Sequence, residues 1–68
     1  MKIRYFPETD TAYIEFTGKE VNETKEISEN IYIDIDENGN IVAMTIEHAK
    51  ESAGSWEFSY QEMPRKTA

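Results

Sequence analysis

Side chains able to hold a cation or act as acid and base are concentrated in one stretch, Asp34-Ile35-Asp36-Glu37-Asn38-Gly39-Asn40-Ile41. Acid and amide oxygens at alternate positions, a glycine sixth and an isoleucine eighth imitate the start of an EF-hand loop, which wraps Ca²⁺ in oxygen ligands. The imitation fails at the loop's last position, where a bidentate carboxylate belongs and Thr45 stands. Both flanks alternate as strands, whereas an EF-hand needs helices. Asp, Asn and Gly are also the residues a tight turn requires, because their side chains bond the local backbone or tolerate positive φ. The turn is the stronger reading, and no metal site is assigned.

Asp34 and Asp36 would project from one strand face about 6.6–7 Å apart. That separation suits an inverting glycosidase pair, but any i, i+2 pair on a strand has it. Catalytic carboxylates face each other across a cleft, and these two would sit side by side on a surface. His48, the only histidine, has Glu47 and Glu51 nearby and could act as a base or ligand. A lone His with no second His or Cys makes a poor metal site. A structural place at a strand-to-helix junction is the better account of it. With no cysteine, no serine in a nucleophile motif and no Gly-rich phosphate loop, the expectation is a non-enzymatic chain with no catalytic, cofactor-binding or metal residues.

The elements around these residues are mainly strands. Ile31-Tyr-Ile-Asp-Ile-Asp36 and Ile41-Val-Ala-Met-Thr-Ile46 flank Asn38-Gly39, the preferred pair for a two-residue hairpin loop in which both positions need positive φ. That loop sets Ile35 opposite Val42, Ile33 opposite Met44 and Ile31 opposite Ile46, apolar against apolar. A one-residue slip would break the match. Met1 to Phe6 and Thr11 to Thr17 form a second hairpin around Pro7-Glu8-Thr9-Asp10. It pairs Phe6 with Thr11, Tyr5 with Ala12, Ile3 with Ile14 and Met1 with Phe16. Its other face pairs Lys2 with Glu15 and Arg4 with Tyr13.

Val21 to Ile27 reads as a weaker strand and Ser28-Glu29-Asn30 as a turn. His48 to Ala53 suits one or two helical turns that Gly54 could end. Ser55 to Tyr60 alternates again, with Trp56, Phe58 and Tyr60 on one side. The expected fold class is α+β, mainly β: a small antiparallel meander of four to five strands with one short C-terminal helix. Residues 1–63 form a single domain and residues 64–68 a polar tail. The expected core is Ile3, Tyr5, Ile14, Phe16, Ile31, Ile33, Ile35, Val42, Met44 and Ile46.

The segments Met1-Lys-Ile-Arg-Tyr5, Pro7-Glu-Thr-Asp10, Ala12-Tyr-Ile14, Ile31-Tyr-Ile-Asp-Ile-Asp36, Gly39-Asn-Ile-Val42, Ile46 and Ala49 resemble the prokaryotic domain of unknown function 2283 family over about residues 1–50. The resemblance implies a small antiparallel sheet followed by a short helix, and for some relatives an antitoxin-like role beside small ribonuclease toxins. It carries no catalytic motif.

Composition narrows the partners. Fourteen acidic residues against seven basic ones give a net charge of −7, and the basic residues form no stripe, which argues against nucleic acid. No apolar run approaches the ~18 residues of a membrane span, and the N-terminus has no apolar signal region, so a cytoplasmic location is expected. The second sheet face carries Phe6, Tyr13, Tyr32 and Ile41. Three occupants are open: the C-terminal segment with Trp56, Phe58 and Tyr60, a second copy in a homodimer, or another protein. The expected function is a non-catalytic protein-interaction domain, antitoxin-like, that binds a basic protein. The alternative is a small structural homo-oligomer with no dedicated partner.

Overall fold

A computed structural model describes residues 1–54, 57 and 59–65. Trp56, Phe58 and part of the 64–68 tail lie outside the described residues. The elements are β1 (Lys2–Phe6), β2 (Thr11–Glu15), β3 (Glu23–Ser28), β4 (Ile31–Ile35), β5 (Ile41–Ile46) and the short helix α1 (Ala49–Ala53). All five strands belong to one antiparallel sheet, ordered β1-β2-β5-β4-β3. Strands β3, β4 and β5 run as a meander. The β1–β2 hairpin joins it through β2, which pairs with β5 rather than with β3, the next strand in sequence. The connecting segment crosses the ends of β5 and β4, with Thr17 donating to the Val42 carbonyl at 3.2 Å and Asn22 to the Ile35 carbonyl at 2.8 Å. Among the described residues no helix is long and apolar enough to cross a membrane.

The β1–β2 register is the expected one, from Lys2 opposite Glu15 to Phe6 opposite Thr11. In the β4–β5 hairpin, Ile31 faces Ile46 and Ile33 faces Met44, also as expected. Its tip corrects the sequence reading. Gly39 donates to the Asp36 carbonyl at 3.1 Å and Asp36 to the Asn40 carbonyl at 2.9 Å. The loop therefore spans three residues, and only Gly39 takes positive φ, at 82°. This is the turn-plus-αL-glycine arrangement of three-residue hairpins. An odd loop shifts the ladder by one residue, so Ile35 meets Ile41 in place of Val42. A bulge between the Ile35 and Asp34 rungs then leaves Val42 as the extra residue and restores the register.

Neighbouring rungs place eight of the ten expected core residues, all but Phe16 and Val42, on one face of the sheet. Tyr5, Ala12, Ile46 and Ile31 form one row, and Ile3, Ile14, Met44 and Ile33 the next. Burial departs from expectation. Ile14 and Val42 are buried, but Ile3 and Phe16 are each 38% exposed and the remaining expected core residues are only half-buried. Among the described residues no second layer of sheet stacks on this inner face, as a closed two-layer core would need. The radius of gyration, 14.1 Å, exceeds the roughly 11 Å of a compact domain of this length.

The loop geometry makes a test. Space for a Cβ is open at Gly39, so Gly39→Ala should lose about 1 kcal/mol from the left-handed backbone alone. Asn38→Ala should be close to neutral in the same urea series. Equal losses at both positions would indicate a two-residue loop with positive φ at each.

Candidate functional site

The outer face is built in rows across the sheet. One row runs Arg4, Tyr13, Thr45, Tyr32, Glu26, and the next Lys2, Glu15, Ala43, Asp34, Thr24. Alternation on each strand forces these residues to share a side. The two bases stand on the edge strand β1, and acids gather on β3 and β4. On β5, small Thr45 separates Tyr13 from Tyr32 and small Ala43 separates Glu15 from Asp34, and Ala43 is fully covered by its neighbours. Arg4 reaches diagonally to Glu15 at 3.7 Å, a surface pair that contributes little. Thr24 donates its hydroxyl to Asp34 Oδ1 at 2.6 Å.

Of the expected interface residues, Phe6, Tyr13 and Tyr32 do share this face. Phe6 is exposed, and both tyrosines are half-buried. Ile41 does not continue the pattern, because the bulge makes it the partner of Ile35. Tyr60 lies elsewhere: with Ser59 it borders an apolar groove of about 420 Å³ whose other walls are Met1, Ile3, Ile14 and Phe16 of the inner face. Trp56 and Phe58 lie outside the described residues.

Tyr32 stands in a negative field. Glu47 first, then Glu26, then burial and Glu29, raise its hydroxyl pKa above the ordinary value of 10.0. A phenol ring ringed by carboxylates suits a cation, since the ring face and the acids attract the same charge.

The residues that first suggested chemistry are structural. Asp36, only 6% exposed, lies beyond the end of β4 and closes the hairpin tip. Its Oδ1 accepts the N–H groups of Asn38 and Asn40, each at 2.9 Å. It therefore does not stand beside Asp34 on an open surface, as the i, i+2 spacing had suggested. The Asn40 and Asn38 N–H bonds and the nearby Lys19 charge hold its pKa below the ordinary 3.8. His48 caps α1 by position, in the left-handed region at φ 55°, with no side-chain capping bond. Its Nδ1 lies 3.0 Å from Glu51 Oε2. Among the described residues no three His, Asp or Glu side chains come together in the manner of a metal site.

The residue the sequence reading missed is Asp10. Its Oδ1 accepts the Tyr5 hydroxyl at 2.7 Å and the Lys50 N–H at 2.9 Å, and its Oδ2 accepts the Glu51 N–H at 3.1 Å. Its carbonyl takes the Ala49 N–H at 2.9 Å. Asp10 thus supplies, from forty residues away along the chain, the capping acceptors that the side chain of the N-cap residue His48 does not provide. The Lys50 ammonium completes the joint, 4.5 Å from the Tyr5 ring centre. The Tyr5 hydroxyl, then the Lys50 and Glu51 N–H groups and the His48 charge, lower the Asp10 pKa below 3.8.

Both carboxylates bind protons less readily folded than unfolded. Their stabilisation is therefore fully present above the ordinary carboxylate pKa and fades as pH falls through the lowered folded values. Melting temperature followed by circular dichroism from pH 7 to about 2 should drop below roughly pH 4. In Asp10→Asn the drop should be smaller and the neutral-pH stability lower. An unchanged acid profile in that variant would contradict the cap.

No curated protein and no solved structure matches the chain. The family model described as protein of unknown function (DUF2283) matches residues 2–50, which takes in all five strands and the Asp10 joint to the start of α1 but stops short of the segment around Tyr60. The chain belongs to the DUF2283 family.

Proposed function

We propose that this domain is a non-catalytic protein-interaction module that binds a basic protein through its outer sheet face. The observation that carries this reading is Tyr32, half-buried on a flat exposed face and set in the field of Glu47, Glu26 and Glu29. Tyrosine supplies a large, rigid contact at low entropic cost, and carboxylates around it give a rim for Lys or Arg. The net charge of −7 would steer such a partner toward the domain. An antitoxin-like role in the cytoplasm, in which the partner is a small basic protein, fits this chemistry. A second reading, a structural homo-oligomer, is favoured by the open inner face. The two readings use opposite faces and do not compete for residues.

The test is capture of partners from source-cell lysate on the tagged domain, washed at low and high salt, with association then measured on the purified partner. The expected result is a small basic protein depleted at high salt. Its affinity should fall at least about tenfold with Tyr32→Ala and its association rate should slow with Glu26→Gln and Glu47→Gln. A partner whose association rate ignores salt, or whose affinity ignores Tyr32, would overturn the assignment.

A further inference from the structure

Among the described residues the inner face is apolar and partly open, with Ile3 and Phe16 each 38% exposed. Ser59 and Tyr60 border its Met1, Ile3, Ile14 and Phe16 part, and Tyr60 and Met63 themselves remain 74% and 69% exposed. On the strands the only charged residues of this face are Glu23, opposite Ile35, and Lys25, opposite Ile33. They are opposite in sign and stand two residues apart on the edge strand. The acids responsible for the net charge lie on the other face and in the loops, away from this surface.

We infer that the inner face is the interface for a second copy of this chain, packed face to face about a twofold axis that lies between the layers and across the strands. That symmetry sets β3 against β3 of the second copy running in the opposite direction, so Glu23 of each copy meets Lys25 of the other. The apolar rows then close into a sandwich, with aligned sheets about 10 Å apart. α1 stands at the Tyr5 end of the face, so the second copy takes the rows of Ile3, Ile14, Met44 and Ile33 and of Phe16 and Val42. A second copy is favoured over a strongly charged partner because this surface is neutral and its one charge pair is self-complementary.

The size of the face sets the strength. Five strands about 4.8 Å apart and five residues of about 3.3 Å each cover roughly 400 Å². That is about half of what a standard interface buries on each side. A contact of this size belongs with weak, transient interfaces. This inference does not depend on the outer-face partner.

Sedimentation equilibrium on the full chain from roughly 5 to 500 µM should show a monomer–dimer equilibrium. Lys25→Glu, at an exposed position, should raise Kd about tenfold, and the charge-swapped Glu23→Lys/Lys25→Glu double variant should restore it. Circular dichroism confirms that each variant is folded. A monomer across the whole range would overturn the proposal. A dimer that Lys25→Glu leaves unchanged would overturn it as well, by placing the contact elsewhere.

Discussion

The central strand β5 must satisfy two neighbours at once, and the rest of the sheet follows from that constraint. Its backbone pairs with β2 on one side and β4 on the other. Every row of side chains across the sheet therefore passes through it. Val42, Met44 and Ile46 point to the apolar side, and Ala43 and Thr45 to the other. A slip of one residue would turn both neighbours' isoleucines outward. The hairpin tip could have caused that slip, because its three-residue loop moves the ladder by one. The bulge at Val42 moves it back. Loop and bulge together preserve the pairing that the alternation demands.

The two faces then differ in what they leave exposed. The outer face is polar and charged, basic at β1 and acidic at β3 and β4, with tyrosines between. The inner face is apolar and, among the described residues, half open. A single small sheet buries only part of its apolar surface, which is the usual difficulty of small domains. α1 covers only one end, and it is held there by Asp10 and by Lys50 over Tyr5. Both the partner reading and the dimer reading come from this imbalance, one for each face.

Local patterns in the sequence carried most of the sheet. The alternation of Ile31, Ile33 and Ile35 and the Pro7–Asp10 turn fixed both hairpins, and the break after Ile46 with Gly54 located the helix. What stayed illegible has physical causes. A two-residue loop and a three-residue loop with a bulge give the same pairing beyond the tip, so periodicity could not distinguish them, and Ile41 was put on the wrong side. The β2–β5 pairing joins strands far apart in sequence, and propensity does not report such contacts. Asp10 read as a turn residue because its role as a cap depends on a helix forty residues away. Openness was invisible as well, since a pattern shows which side is apolar but not whether anything covers it.

The central claim is that the two faces have separate binding roles. Amide and methyl NMR spectra of the labelled chain test it most directly, recorded as a concentration series and as a titration with a short oligo-arginine peptide. Raising the concentration should shift Ile33, Met44, Lys25 and Phe16, and the peptide should shift Tyr32, Glu26, Glu47 and Thr45. Overlapping sets of shifts, or peptide effects centred on the isoleucine rows, would contradict it.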